Sequence, residues 1–161
     1  MRPEDILTTL AQLGVAIAGF SGIVVALARP APSASSVNHS LLSVLLLASA
    51  GVVIWSLTPL VMLSAQVSEQ TTWVVSSAGW SIQQAFALAH RAYQVRSSPE
   101  SVPGFALVAP LAVGGLGALA LQLTNVFWLA ASWPHLVALV WWVVVSFVIF
   151  LRLMHGSAGN G

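Results

Sequence analysis

The sequence predicts an all-α fold, a polytopic membrane bundle, and three observations predict that class. Hydrophobic residues make up 58% of the chain and charged residues 6%, and the mean hydropathy is +0.92, values typical of a chain that lies in lipid. Apolar runs long enough to cross a bilayer core of about 30 Å recur along the whole sequence. The few arginines are unevenly distributed between these runs. We therefore predict a single integral membrane domain, residues 1–161, with five transmembrane helices.

Short polar or proline-containing segments separate the five predicted spans, as expected for a bundle with small loops. The spans are residues 6–28, 41–65, 71–93, 105–129 and 133–154. The fourth break is the shortest, so the last two helices should form a tight antiparallel hairpin, with Pro134 in the first turn of the last helix. Pro59 and Pro110 lie inside spans and predict kinks.

The third segment is the least apolar of the five. Its hydropathy is lowered by Ser76, Ser77, Ser81, Gln83, Gln84 and His90. Length and composition leave two alternatives for it, a transmembrane span or a re-entrant or surface helix.

The arginines favour five crossings. With five spans, Arg29, Arg91, Arg96 and Arg152 lie on one side of the membrane and Arg2 on the other. Cytoplasmic loops carry the excess of basic residues, so the sequence predicts an outside N-terminus and an inside C-terminus. A third segment that did not cross would divide the arginines between the two sides.

Small residues follow one face of the first span. Gly14, Ala18, Gly22 and Ala26 recur every four residues, and Gly114 and Ala118 repeat this spacing in the fourth span. Small residues let helix backbones approach closely in lipid, where no hydrophobic drive exists between helices. We expect this face to pack against another helix of the chain, or to form an oligomer contact or pore lining. The first and fourth helices should be neighbours, or each should meet its own copy.

Two other interpretations of the first segment are less well supported. Residues 14–21 approach the phosphate-loop pattern, but Phe20 stands where the pattern needs lysine and no buried strand precedes it. A cleaved signal peptide is disfavoured because Glu4 and Asp5 precede an apolar run longer than the roughly 7–15 residues of a signal.

Two short strings resemble a known group of proteins. Residues 18–22 read Ala-Gly-Phe-Ser-Gly in the first span, and residues 121–125 read Leu-Gln-Leu-Thr-Asn in the fourth. Together they resemble a group of small bacterial multi-pass membrane proteins of uncharacterised activity. The resemblance implies a bacterial cytoplasmic (inner) membrane and carries no activity over to this chain.

The composition excludes several kinds of chemistry. No Asp, Glu, Lys or Arg lies near the middle of a predicted span, which argues against carboxylate proton relays, voltage sensing and intramembrane hydrolysis. The chain has no cysteine, and its four histidines fall near predicted helix ends without ligand spacing. A net charge of +1 argues against a nucleic-acid surface. We predict no enzyme activity, no metal and no cofactor.

Neutral polar residues form two layers in the predicted spans. The outer layer includes Gln12, Gln122 and Asn125, and the deeper layer contains Ser21, Ser49, Gln83 and Gln84. These side chains either form hydrogen bonds between helices or line a polar path for a small solute or ion. For the path, we expect Gln12, Gln84 and Asn125 to form the lining.

The tryptophans and the acids are the remaining marked residues. Trp73, Trp128 and Trp133 fall at outer helix ends, whereas Trp55, Trp80, Trp141 and Trp142 lie deeper and predict packing with indole N–H groups that need partners. Glu4, Asp5 and Glu69 form an outer acidic group. These acids either concentrate cations at a pore mouth or stabilise the starts of helices.

The sequence therefore predicts a small non-enzymatic membrane protein. Its first functional hypothesis is a homo-oligomeric channel or passage for a small solute or ion. The alternative is an accessory or scaffold subunit that packs against another membrane protein. The expected partners are the lipid bilayer, other copies of the chain and, for the alternative, a second membrane protein.

Overall fold

The computed structural model describes residues 2–27, 36–97 and 105–158. Every regular element in these ranges is a helix, and they contain no strand, which confirms the all-helical prediction. The five helices are α1 (Pro3–Leu27), α2 (Ser36–Ser64), α3 (Glu69–Ser97), α4 (Phe105–Thr124) and α5 (Ser132–Ala158). One π-helical turn, Asn125–Leu129, continues α4.

Four helical segments are long and apolar enough to cross a membrane. They are Pro3–Ile23, Leu41–Ser64, Ala109–Leu129 and Ser132–Met154. The described chain thus has the character of a multi-pass membrane protein, as predicted. Helix α3 falls outside this set because its mean hydropathy is low.

Helices α2 and α5 form the centre of the bundle. Helix α1 packs against both of them on one side, and the α3–α4 pair packs on the other, with α2 against α3 and α5 against α4. The predicted α1–α4 pairing is not observed as a helix packing contact in the described residues, because α5 contacts both helices.

The apolar core lies mainly among α1, α2, α3 and α5. Its larger cluster contains Leu7, Leu10, Ala48, Val52, Trp73, Trp80, Ala118, Ala138, Leu139 and Trp142. A smaller cluster of Leu41, Leu45 and Ile149 lies towards the other end of α2. Shape and dispersion stabilise such contacts in lipid, where lipid tails are as apolar as the side chains.

Three tryptophan rings pack directly on glycines of neighbouring helices. Trp142 covers Gly51, Trp55 covers Gly79, and a Cβ atom at Gly114 would overlap the ring of Trp141. Each glycine therefore provides the space that a large ring needs between two closely packed backbones.

A capped turn makes the predicted hairpin between α4 and α5. Ala130 has a left-handed φ of 46°, and its N–H donates to the Asn125 carbonyl at 2.9 Å. The Asn125 side chain donates from Nδ2 to the Ala131 carbonyl at 3.0 Å and accepts from the Ala131 N–H at 2.9 Å. Pro134 follows in the first turn of α5, as predicted, and is buried.

The third helix is polar inside and apolar outside. Its buried residues are Thr72, Trp73, Ser76, Ser77, Trp80, Ser81 and Gln84. Its opposite face exposes Val75, Ile82 (72% exposed), Phe86 (73%) and Tyr93. This arrangement is the reverse of a water-soluble amphipathic helix, and it explains how a helix of low mean hydropathy presents an apolar surface.

Candidate functional site

The most polar region of the bundle lies along the buried face of α3. Its polar residues are spaced three or four positions apart, so Thr72, Ser76 and Gln84 lie along one face. That face is covered by α2, α4 and α5. From Thr72 to Gln84 the face extends about 18 Å along the helix axis, which is more than half of a bilayer core of about 30 Å.

Two adjacent glutamines connect α3 to the three helices around it. Gln83 Oε1 accepts from the indole N–H of Trp55 on α2 at 2.6 Å. Gln84 Oε1 accepts from the indole N–H of Trp142 on α5 at 2.8 Å, and Gln84 Nε2 donates to the Gly115 carbonyl on α4 at 3.3 Å. Successive helical residues point about 100° apart, which lets the pair reach different neighbours.

A second set of bonds lies nearer the start of α3. Asn125 Nδ2 donates to Ser77 Oγ at 2.8 Å, and Gln122 Nε2 donates to the Pro134 carbonyl at 2.9 Å. Both amides therefore join α4 and its π-helical turn to neighbouring helices. Interhelical hydrogen bonds of this kind contribute about 0.6 kcal/mol each in membrane proteins.

His135 is fully buried at the start of α5. Its Nε2 lies 2.9 Å from the Trp55 carbonyl on α2, and its ring centroid lies 6.2 Å from that of Trp73. A carbonyl only accepts, so Nε2 carries the hydrogen and Nδ1 of the neutral ring is an acceptor. Within the described residues, Nδ1 has no hydrogen-bond partner.

Eight buried side-chain atoms of the described chain have no hydrogen-bond partner. They are Ser49 Oγ, Ser56 Oγ, Thr72 Oγ1, Ser76 Oγ, Trp80 Nε1, Gln122 Oε1, His135 Nδ1 and Ser146 Oγ. All of them belong to α2, α3, α4 or α5. A buried polar group without a partner is costly, and in lipid that cost reaches several kcal/mol.

The hydroxyl groups of this set differ from others in the bundle. Thr8, Thr58 and Thr124 donate to the carbonyl four residues earlier in their own helix, the usual way for a helical hydroxyl to find a partner. Ser56, Thr72 and Ser76 do not. Their hydroxyls are therefore available to a polar molecule that reaches the interior.

The polar interior is suited to an uncharged molecule. Trp80 Nε1 is a donor, Gln122 Oε1 and His135 Nδ1 are acceptors, and the serine and threonine hydroxyls are both. The buried residues of the described chain include no Asp, Glu, Lys or Arg. We refer below to the inward residues Ser56, Thr72, Ser76, Gln122 and His135 as the polar interior.

The residues predicted for a polar path are divided by the structure. Ser49, Gln84, Gln122 and Asn125 are buried, and Gln83 is partly buried on α3. Ser21 is also buried, but its hydroxyl donates to the Ile17 carbonyl at 2.6 Å within α1. Gln12 is exposed on α1, a helix that does not belong to the α3–α4 side. Gln12, Gln84 and Asn125 therefore do not line one common region.

The small residues of α1 do not form one contact face. A Cβ atom at Gly14 would lie 3.0 Å from the Ser49 carbonyl oxygen of α2, whereas Gly22 has no atom within 4 Å of that position. Ala18 is partly buried, and the Ala26 side chain lies outside the described residues. A four-residue step exceeds the 3.6-residue helical turn, so the strip rotates by about 40° per step and leaves the α2 contact.

The small residues of α4 accommodate side chains of other helices. Gly114 packs against the ring of Trp141 on α5, and Gly115 packs against Gln84 Nε2 on α3. Ala118 is buried in the larger core cluster. This helix therefore meets α3 and α5 through small residues, while Gly117 faces open space.

The outer acids lie at helix starts. Glu4 and Asp5 occupy the first turn of α1, and Glu69 occupies the first turn of α3. All three are exposed, and Asp5 Oδ2 accepts from the backbone N–H of Arg2 at 3.2 Å. Carboxylates at these positions are favoured by the helix dipole.

Several residues of the polar interior did not emerge from the sequence. Thr72, Ser76 and Gln84 are separated by multiples of four residues. This helical periodicity of polar residues could have predicted a polar face on the third span. The sequence placed His135 at the outer end of the last span. The structure buries it between the Trp55 carbonyl of α2 and the Trp73 ring of α3, contacts with distant parts of the chain that no local pattern indicates.

The described residues contain no group of three or more His, Cys, Asp or Glu side chains arranged to hold a metal ion. Comparison with protein-family models, curated proteins and solved structures finds no match. Function is therefore inferred from the geometry of the bundle.

Proposed function

We propose that the chain is a five-span membrane protein that passes a small uncharged polar molecule, such as water or glycerol, through its own bundle. The observation that carries this proposal is the set of buried polar atoms without partners on four helices. A solute with donors and acceptors would exchange hydrogen bonds along this set, replacing those it has in water. The proposal includes no catalytic step and no cofactor.

The proposed fifth span is α3. From residue 75 to residue 86 its exposed side chains are apolar, including Val75, Ile82 and Phe86, and its polar side chains are buried or partly buried, so lipid would meet apolar side chains over this stretch. A surface helix would instead present its polar face to water. The burial pattern of α3 therefore supports a crossing over a re-entrant or surface position.

The proposed orientation has the N-terminus outside and the C-terminus inside. Arg91 and Arg96 lie towards the end of α3 and Arg152 towards the end of α5, which corresponds to the cytoplasmic side of a five-span bundle under the positive-inside rule. The resemblance of residues 18–22 to bacterial multi-pass proteins extends this proposal to a bacterial cytoplasmic membrane.

An uncharged solute is favoured over an ion. The buried polar groups carry no formal charge, and the amides of Gln84 and Asn125 are already bonded to protein groups. Gln83 and Gln84 would have to release their indole partners for a solute to pass α3 along its full length. The path lies within one chain, so conduction would not require a ring of subunits.

Transport can be tested in proteoliposomes by stopped-flow light scattering. Vesicles with the protein should shrink faster than empty vesicles in a sucrose gradient, or refill faster in a glycerol gradient. Thr72→Val removes an unpaired buried hydroxyl with little change of shape and should lower the rate severalfold. Thr58→Val is the matched control, because the Thr58 hydroxyl bonds within its own helix. Rates equal to those of empty vesicles for both solutes would refute the passage.

A second candidate function, the accessory or scaffold subunit, is favoured by a groove between α1 and α5. This groove encloses about 580 Å³ and is lined by Leu13, Ala16, Ile17, Phe20, Val143, Val144, Phe147 and Phe150. On the same helix, Gly19 and Gly22 have no atom within 4 Å of a Cβ position. A helix of another copy or of a second membrane protein would find close backbone approach there.

The second candidate is tested by the native mass of the protein in lipid nanodiscs. A homo-oligomer that Gly22→Leu dissociates would support self-association through α1. Gly117→Leu is the matched control, because Gly117 faces open space on α4. A monomeric wild-type protein would exclude self-association, and the groove would then have to bind a different membrane protein.

A further inference from the structure

The inner ends of α2, α3, α4 and α5 surround a partly open cavity that lies apart from the polar interior. Its volume is about 160 Å³, and its lining is mostly apolar, with side chains such as Leu41, Leu88, Leu111 and Val145. Gln84 and the ring of Trp142 lie at one end, and Arg91 and Val95 lie towards the other. From Gln84 to Val95 the cavity follows α3 for about 16 Å.

The two ends of the cavity differ in chemistry. At the Gln84 end the amide is already hydrogen-bonded to Trp142 and Gly115. This end therefore offers a ligand mainly apolar surface. At the other end Arg91 supplies a guanidinium group, and its Nη1 donates to Gln94 Oε1 at 2.9 Å. That bond orients the guanidinium group at one end of the apolar cavity.

We propose that this cavity binds a free fatty acid, with the acyl chain between the helices and the carboxylate at Arg91. Guanidinium groups bind carboxylates through paired, charge-assisted hydrogen bonds. The volume is close to the roughly 150 Å³ of an apolar cavity that binds benzene, so it holds part of one chain and excludes the two chains of a phospholipid. This site does not depend on the passage proposed above.

The site can be tested with a medium-chain fatty acid brominated at its terminal carbon. Bromine quenches tryptophan fluorescence at contact, and Trp141 and Trp142 both line the cavity. With the protein in nanodiscs of zwitterionic, unbrominated lipid, quenching should rise to saturation. The brominated alcohol of equal length should bind about tenfold more weakly, because it lacks the charge that Arg91 recognises.

Two pairs of variants distinguish binding in the cavity from partition of the fatty acid into the lipid bilayer. Arg91→Gln should weaken binding about tenfold, whereas Arg96→Gln, an exposed arginine on the same helix, should not. Ala112→Phe should fill the cavity and abolish saturable quenching. Its matched control is Val113→Phe, because Val113 is exposed and does not line the cavity.

Three results would overturn the proposal. The first is quenching that never saturates and is equal in all four variants. The second is equal affinity for the acid and the alcohol. The third is quenching of the wild-type protein by nanodisc phospholipid brominated on an acyl chain and its loss in Ala112→Phe, since this would identify a bilayer lipid as the occupant.

Discussion

Helices α1 and α3 are both buried on one side, but by different chemistry. The buried face of α1 is made of apolar and small residues, including Leu7, Leu10 and Gly14. The buried face of α3 is made of hydroxyls, amides and two tryptophans, while its apolar side chains face outwards. In this bundle, therefore, hydrophobicity alone does not mark the buried side of a helix, because small and polar residues are buried as well.

The largest effect is expected where a ring packs on a glycine. Gly114→Val would overlap the Trp141 ring and force α4 away from α5, which should destabilise the protein by about 1–3 kcal/mol. Gly117→Val, three residues later and facing open space, should have little effect. Thermal unfolding in detergent, followed by circular dichroism, would compare the two. Equal melting temperatures would show that this contact does not hold the helices.

The polar side of the bundle should be sensitive to the loss of one amide. Asn125→Leu removes the cap of the α4–α5 hairpin and the bond to Ser77, and should cost about 1–2 kcal/mol. Thr124→Val is the control, since that hydroxyl donates to the Ala120 carbonyl of its own helix. If both variants unfold at the wild-type temperature, the hairpin is held by packing alone.

The α1–α2 contact should respond more weakly to a change of size. Gly14→Ala places a methyl group 2.9 Å from Val53 Cγ2 and 3.0 Å from the Ser49 carbonyl oxygen, so α1 must shift slightly, at about 1 kcal/mol or less. Gly22→Ala meets no atom and should be neutral or slightly stabilising, because alanine is the better helix former. If Gly22→Ala destabilised the protein more than Gly14→Ala, Gly22 and not Gly14 would lie on the face of α1 that packs against α2.

The smallest effect is expected at an exposed polar residue outside the polar interior. Gln12 is exposed on α1, so Gln12→Leu should change neither the melting temperature nor the water permeability of proteoliposomes. Thr72→Val, measured in the same assay, should lower the permeability. If Gln12→Leu lowered the permeability and Thr72→Val did not, the solute would pass along the surface of α1 and not through the polar interior.

The sequence predicted the all-helical bundle, the break before α5 and the inward position of Gln84, because each follows from local apolar runs and spacing. Apart from the α4–α5 hairpin, it did not predict which helices pair. The α1–α4 expectation came from shared small residues, but which helices meet depends on the shape of whole faces and on rings such as Trp141 and Trp142. It also missed the burial of His135, which contacts Trp55 of α2 and Trp73 of α3, both far away in the sequence.

The central position of α5 has a consequence for biogenesis. Of the five helices, α5 is the last to be synthesised, yet it supplies Trp142 to Gln84 and the histidine to the Trp55 carbonyl. Until it inserts, Gln84 of α3 and the Trp55 carbonyl of α2 lack those partners within the membrane, and unpaired polar groups there are costly. An insertion intermediate of four helices should therefore be short-lived or recognised by membrane quality control. The insertion of α5 and the closure of the five-helix bundle therefore become one event.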